Sequence, residues 1–187
     1  GLSFEIGSPS ETDFENNPHL YTLKISNMEI SENCGWGIKS GGSINIGFES
    51  LSAKLTKIND NGKGTDCRAG GIFIYGSLGM NAVNFEITNN NGTGILSEKD
   101  LLLSGSQRPI KINYNRGYGI QADAGNVHIT GLAAHQIIGN KGKGIYAGGY
   151  IPVFGDLYGY AGNIIIESGI EISDNASWGV YGMGVSI

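Results

Sequence analysis

The segment Ile112-Asn-Tyr-Asn115-Arg-Gly117-Tyr-Gly119-Ile120 is one of six variants of a single pattern in this chain. In each copy an isoleucine is followed three residues later by an asparagine, and most copies continue with glycines and another apolar residue. The asparagines are Asn33, Asn61, Asn90, Asn115, Asn140 and Asn175, so successive copies are 28, 29, 25, 25 and 35 residues apart. Such a period is typical of a solenoid, whose units bury their apolar faces by stacking.

The residues around each asparagine alternate between apolar and polar, as in Ile110-Lys-Ile112-Asn. Period two is the signature of β-strands. No segment has a sustained helical period, and the 32 glycines of the chain would destabilise long helices. The pattern therefore predicts an all-β parallel solenoid with three short strands in each coil. For the coil that contains Asn140 we expect strands over residues 124–130, 134–138 and 144–147.

The recurrent asparagines are predicted to form a buried ladder in which each side-chain amide bonds the next coil's amide and the corner backbone. A buried amide is tolerated only when its donors and acceptors are satisfied, and a stack of identical amides satisfies them. The glycines that follow each asparagine are expected to form tight corners that need positive φ.

The chain divides into a short leading segment and one long repeat domain. Residues 1–19 lack the coil pattern and are expected to be a cap or part of an upstream segment, whereas residues 20–187 form the solenoid. Two turns are enlarged, at Gly62–Gly70 and Gly148–Gly162. The last coil is expected to contain Ile172, Val180 and Val185 and to have unpaired strand edges. We therefore expect it to continue into a longer solenoid or to stack head to tail on another copy.

The bulk composition excludes several classes of partner. The 187 residues are 40% hydrophobic with a formal net charge of −5 and no basic run, which argues against nucleic-acid binding. No apolar stretch is long enough to span a membrane, and the first residues do not resemble a signal peptide. Cys34 and Cys67 are predicted on the same edge of neighbouring coils, where either a disulfide or two free thiols would fit. The sequence contains no metal-binding cysteine or histidine cluster.

Two stretches carry a resemblance to known proteins. The unit Val127-His-Ile-Thr-Gly131 with Gln136-Ile-Ile-Gly-Asn140-Lys-Gly-Lys-Gly-Ile145-Tyr-Ala resembles the repeat of right-handed parallel β-helix proteins of the pectate-lyase-like superfamily. This resemblance implies a single-stranded right-handed parallel β-helix of about six to seven coils. The order Ile58-Asn-Asp-Asn61 followed by Ala69-Gly-Gly-Ile72 is similar to the Phe-x-x-Asn and Gly-Gly-Ala-Ile motifs of polymorphic outer-membrane proteins. Those proteins are autotransporter passengers that act as adhesins.

The motifs of β-helix enzymes that cleave acidic polysaccharides are missing from the sequence. Such hydrolases carry Asn-Thr-Asp, Asp-Asp, Gly-His-Gly and Arg-Ile-Lys motifs, and only Arg108-Pro-Ile-Lys111 is similar to one of them. The nearest candidates for a lyase site are Asp60, Asp66 and Arg68, which are more simply explained as a solvated turn. The histidines His19, His128 and His135 are expected to be ordinary surface residues. We therefore expect no catalytic residue and no cofactor.

The stretch from Tyr146 to Tyr160, which runs into the second enlarged turn, is rich in aromatic residues. Its candidate binding residues are Tyr146, Tyr150, Phe154, Tyr158 and Tyr160. Aromatic rings on a glycine-rich loop are typical of recognition surfaces, although the loop would also serve to cover the flank of a coil.

The leading functional hypothesis is a non-enzymatic extracellular protein, an adhesin or passenger segment on a bacterial surface. It would bind a surface protein or a glycan of a host or neighbouring cell, or other copies of itself. The alternative is a carbohydrate-active β-helix, either a polysaccharide lyase or hydrolase or a glycan-binding module. A groove with three or more convergent charged side chains on one strand face would favour an enzyme.

Overall fold

The chain folds as a parallel β-helix in a computed structural model. The structure describes residues 2–4, 22–47, 55–63, 69–81, 84–105, 109–153, 156–160, 162–167 and 169–187. For residues 2–4, 22, 105, 149–153 and 156–160 it describes the backbone only. No helix occurs in these ranges.

The strands belong to three parallel sheets and one hairpin. Sheet I contains β1 (Leu2–Phe4), β4 (Ile38–Ser40), β7 (Ile72–Ile74), β10 (Ile95–Ser97), β13 (Ile120–Ala122), β16 (Ile145–Ala147) and β21 (Val180–Tyr181). Sheet II contains β2 (Thr22–Lys24), β5 (Ile44–Gly47), β8 (Leu78–Asn81), β11 (Leu101–Gly105), β14 (Val127–Gly131), β19 (Asn163–Ile166) and β22 (Gly184–Ser186). Sheet III contains β3 (Glu29–Ser31), β6 (Thr56–Asn59), β9 (Phe85–Thr88), β12 (Ile110–Asn113), β15 (His135–Ile138) and β20 (Ile170–Ser173). The antiparallel hairpin is β17 (Gly149–Val153) and β18 (Asp156–Tyr160).

The chain passes through sheets II, III and I in turn, and each pass forms one coil. The described residues contain six such passes, with β1 before the first and β22 after the last. The predicted number of six to seven coils is therefore confirmed. In the coil that contains Asn140, the strands β14, β15 and β16 lie within a few residues of the predicted bounds.

The core is built from columns of aliphatic side chains that stack from coil to coil. In sheet I the residue that closes each repeat pairs in register with its counterpart, in the order Ile38, Ile72, Ile95, Ile120, Ile145 and Val180. The first five of these side chains are at most 1% exposed. Because each column is continued by the next coil, burial depends on stacking, as expected for a solenoid.

The asparagine ladder is confirmed, and Asn115 shows its geometry. Its backbone N–H and its Nδ2 both donate to Oδ1 of Asn140, at 3.0 Å each, and Nδ2 also donates to the carbonyl of Ile87 at 3.0 Å. Its own Oδ1 accepts from the backbone N–H and the Nδ2 of Asn90. The same arrangement links Asn33, Asn61, Asn90, Asn115, Asn140 and Asn175. Every polar atom of the inner amides is thus satisfied.

The prediction that the glycines after each asparagine supply positive φ is wrong for most copies. The left-handed residue lies immediately before each ladder asparagine, and it is usually not glycine: Glu32, Asp60, Asn89, Tyr114, Gly139 and Asp174 have φ between 54° and 67°. In most copies the glycine four residues after the asparagine is needed for a different reason, which is lack of space. A Cβ on Gly94 would lie 2.8 Å from Nδ2 of Asn115 in the next coil, which leaves no room for a side chain.

Candidate functional site

The outward face of sheet I carries most of the described aromatic side chains that contact one another. Outside the enlarged second coil, the position three residues after the ladder asparagine lies on this face, and so does the position six residues after it. The first position is occupied by Trp36, Thr93, Tyr118, Lys143 and Trp178. The second is occupied by Lys39, Leu96, Gln121, Tyr146 and Tyr181, and in the enlarged second coil Phe73 pairs with Lys39 and Leu96. We call this surface the aromatic face.

One aromatic cluster lies toward the amino-terminal end of the aromatic face. The ring of Trp36 is 5.2 Å from that of Phe73, which is 4.5 Å from that of Tyr75. The Lys39 ammonium lies 5.7 Å from the centroid of Phe73 and 5.4 Å from that of Tyr75. Cation–π attraction at these distances holds the lysine against the rings.

A second aromatic cluster lies at the carboxyl-terminal end. Tyr118 is 5.6 Å from Tyr146, Tyr146 is 5.7 Å from Tyr181, and Tyr181 stacks on Trp178 with centroids 4.7 Å apart and planes inclined by 10°. Lys143 Nζ lies 4.0 Å from the ring centroids of both Tyr146 and Tyr181. Burial among these rings lowers the pKa of Lys143 below its usual value.

Two adjoining cavities lie on the aromatic face between these clusters. The larger, of about 490 Å³, is lined by Glu98, Tyr118, Gln121, Asp123, Ala124, Tyr146 and Gly148. The smaller, of about 390 Å³, is lined by Gly92, Thr93, Leu96, Arg116, Gly117, Tyr118, Gln121 and Asp123. Because Tyr118, Gln121 and Asp123 line both, the cavities form one continuous depression, which we call the groove.

The polar side chains of the groove are oriented by hydrogen bonds. Nε2 of Gln121 donates to Asp123 Oδ1 at 2.5 Å, and Oε1 of Gln121 accepts from the hydroxyl of Thr93 at 3.5 Å. The pKa of Glu98 is raised, first by its burial and then by the nearby charge of Asp123. The groove therefore presents carboxylate and amide groups between two tyrosine rings.

The structure locates only part of the predicted aromatic loop. Tyr146 lies in the groove and in the second cluster. The backbones of Tyr150, Tyr158 and Tyr160 lie on the hairpin β17–β18, which begins directly after the groove residue Gly148. Phe154 lies outside the described residues. Whether these residues bind a partner stays a prediction.

The other candidate residues are spread over the molecule. Asp60 lines a separate corner cavity of about 380 Å³ with Lys63 and Arg116, while Asp66, Arg68 and His19 lie outside the described residues. Cys34 is exposed and has no disulfide partner among the described residues, and Cys67 lies outside them, so their pairing stays a prediction. Within the described ranges, no group of three or more His, Cys, Asp or Glu side chains has an arrangement suited to a metal ion.

The histidines differ from one another in a way that the sequence did not reveal. His128 is at the surface as expected and pairs with Glu167 at 3.0 Å. The expectation for His135 is wrong, because it is only 1% exposed and points into the core of sheet III. Its Nδ1 accepts a hydrogen bond from the backbone N–H of Ile110 at 3.2 Å. Burial lowers the pKa of His135, although the carbonyl of Thr130 partly opposes this.

The outward face of sheet III carries a row of charged side chains. Lys57, Glu86 and Lys111 are adjacent in register, and Lys111 bonds Glu86 at 3.0 Å. Partly exposed pairs of this kind are screened by solvent and contribute little to stability. The described residues contain no helix with the length and hydropathy needed to cross a membrane. Comparisons with models of known families, with curated proteins and with solved structures found no match to this chain.

Proposed function

We propose that this chain is a non-enzymatic extracellular β-solenoid whose groove binds a neutral glycan. The observation that carries the proposal is the combination of Glu98, Gln121 and Asp123 with the rings of Tyr118 and Tyr146 in one continuous depression. Carboxylate and amide groups bond sugar hydroxyls, and aromatic rings supply flat apolar contact area. Ligand sites commonly combine apolar walls with a few placed polar groups.

Glu98 and Asp123 lie together in the larger part of the groove, while Arg116 lies at its edge, and the two carboxyl groups favour a neutral ligand over an acidic one. The pKa of Glu98 is raised first by its burial and then by the nearby negative charge of Asp123, so a further negative charge is unfavourable at this place. A uronic acid or a sulfated sugar would add another. This distinguishes the proposed ligand from the acidic polysaccharides that pectate-lyase-like enzymes cleave.

The cellular setting is part of the same proposal. A stacked solenoid with a binding groove on one face suits an adhesin or passenger segment at a bacterial cell surface, and the Asn61 and Gly71-Ile72 repeat is similar to polymorphic outer-membrane proteins. The partner would then be a glycan on a host or neighbouring cell. Loops and faces on a rigid scaffold are common places for such recognition.

The proposal is tested by glycan-array binding followed by affinity electrophoresis in the neutral polysaccharide that gives the strongest signal. We expect retardation of the wild-type chain, a loss of at least tenfold in affinity for Tyr118→Ala, and a smaller loss for Glu98→Gln. Glu86→Gln on sheet III is the matched control and should bind as the wild type does. Absence of binding to every neutral glycan, or an equal loss in the control, would contradict the proposal.

One observation favours a second candidate function, the hydrolysis or elimination of a glycan. Arg116 joins Glu98 and Asp123 at the edge of the groove, which brings three charged groups to one face. A carboxyl group with a raised pKa beside an ionised one is an arrangement that glycosidases use for acid catalysis. Release of reducing ends from a bound glycan, lost in Glu98→Gln, would favour this candidate. Binding without product release would favour the non-enzymatic function.

A further inference from the structure

The rings of Tyr118, Tyr146, Trp178 and Tyr181 surround the ammonium group of Lys143. The distances from Nζ to their centroids are 5.6, 4.0, 5.2 and 4.0 Å, respectively. We call these four residues the four-ring box. Several aromatic rings around one cation form the kind of cage that proteins use to bind quaternary ammonium ligands.

The parallel coils create the box from three turns of the helix. The backbone N–H of Gly119 bonds the carbonyl of Lys143, and the N–H of Gly144 bonds the carbonyl of Trp178. These bonds place Tyr118, Lys143 and Trp178 in one column along the helix axis. Tyr146 and Tyr181 pair in register in the next column, so they close the side of the box.

The described residues around Lys143 do not replace the hydration that its ammonium group has in water. A primary ammonium has three N–H donors and is strongly hydrated in water. Within the described residues, Lys143 forms no ion pair or hydrogen bond that would replace this hydration. Its lowered pKa reflects the same loss of solvent. A quaternary ammonium has no N–H group to satisfy and is weakly hydrated, so it loses less on entering a box of rings.

We propose that the four-ring box is a binding site for a quaternary ammonium group, and that Lys143 occupies it when no ligand is bound. On binding, the lysine side chain moves into solvent, where its ammonium regains water, and the methylated cation takes its place against the rings. The carboxylates of Glu98 and Asp123 in the adjoining groove add a favourable negative potential. The inference does not depend on glycan binding, although Tyr118 and Tyr146 line both sites.

Choline chloride is the probe for this inference, and its neutral isostere 3,3-dimethyl-1-butanol is the chemical control. The chain has two tryptophans, so Trp36→Phe leaves Trp178 as the only fluorescent indole. In that background, titration at constant ionic strength should change the Trp178 emission with choline and not with the alcohol. Lys143→Ser should bind choline at least tenfold more tightly, because no resident cation has to leave.

Matched variants separate the box from general surface effects. Tyr181→Ala should weaken choline binding at least tenfold, whereas Tyr75→Ala, an exposed tyrosine in the other cluster, should leave it unchanged. Circular dichroism verifies that each variant is folded. The inference is overturned if choline does not bind the chain that retains Lys143, if the alcohol binds equally well, or if Lys143→Ser gains no affinity.

Discussion

Gly119 and Asn140 lie so close together that a Cβ atom on the glycine would be 2.9 Å from Nδ2 of the asparagine in the next coil. Gly37 has the same relationship to Asn61, at 2.8 Å, and a Cβ there would also lie 2.7 Å from Ile58 Cγ2. Real Cβ atoms do not approach this closely. The recurrent glycine and the recurrent asparagine are therefore two parts of one structural unit.

Alanine substitutions at Gly37 and Gly35 test this relationship within a single coil. Gly37→Ala should destabilise the fold by about 1–3 kcal/mol, because the core must shift to admit the methyl group. Gly35→Ala should be neutral within about 0.5 kcal/mol, since an added Cβ at Gly35 meets nothing within 4 Å. Urea unfolding gives both values. Equal destabilisation by the two substitutions would contradict the assigned role.

The ladder predicts that the loss of folding stability caused by replacing an asparagine depends on the position of that asparagine along the solenoid. Asn115→Leu should destabilise the fold by about 1–3 kcal/mol, because the amide of Asn90 and the carbonyl of Ile87 lose their partners. Asn175→Leu should cost less, because Asn175 is only partly buried and has a ladder neighbour on one side among the described residues. Thermal and urea denaturation measure the difference. The reverse order would refute the ladder as a source of stability.

The burial of His135 predicts that the fold loses stability in mild acid. Burial lowers the pKa of His135 in the folded chain below the ordinary histidine value of 6.5. Once the pH falls below 6.5, the unfolded chain therefore binds more protons than the folded chain does. The contribution of His135 is complete above that pH and is lost as the pH falls toward the folded-state pKa. His135→Gln, which retains an acceptor for Ile110, should flatten this part of the stability profile relative to the wild type. Urea unfolding of both chains at pH values on either side of 6.5 measures this profile, and equal slopes for the two chains would contradict the role assigned to His135.

The two ends of the ladder are chemically complementary. Among the described residues, Oδ1 of Asn33 accepts no hydrogen bond, while the backbone N–H of Asn175 and one Nδ2 proton have no acceptor. The strands β20, β21 and β22 are also the last of their sheets. These features predict head-to-tail stacking of copies, since unpaired strand edges favour strand addition.

Light scattering over a concentration series measures this stacking. The average mass should rise above the 19.7 kDa of one chain, and Val185→Lys on β22 should prevent the rise. Leu132→Lys, at a side chain that is 92% exposed in a turn, should not prevent it. A mass that stays at 19.7 kDa for the wild type at high concentration would exclude self-association.

The repeat in the sequence was sufficient to predict the solenoid, its ladder and the approximate strands. It was less informative at the corners, because the left-handed residue varies from Glu32 to Gly139 and has no common side chain. His135 was misplaced for a related reason. The corner after Gly131 interrupts the alternation of apolar and polar residues. Because His135 and Gln136 are both polar, the sequence does not show which of them faces the core.

Apart from Tyr146, the residues of the candidate site were missed because they are far apart in the sequence. Tyr118, Lys143 and Trp178 are separated by 25 and 35 residues. Each lies three residues after a ladder asparagine, so aligning the copies on that asparagine would have placed them in one column. The proximity of Glu98 to Gln121 and Asp123 in the groove depends on how strands β10 and β13 meet the following turns, which the repeat alone does not determine.

Backbone amide shift mapping by NMR tests glycan binding in the groove most directly. The probe is the neutral oligosaccharide that the array selects, titrated into the labelled 19.7 kDa chain. We predict shifts that cluster on β10, β13 and β16 and on the turns that carry Glu98 and Tyr118, with β9, β12 and β15 unchanged. Shifts confined to sheet III or to the hairpin β17–β18, or no shifts at saturating oligosaccharide, would contradict the proposed function.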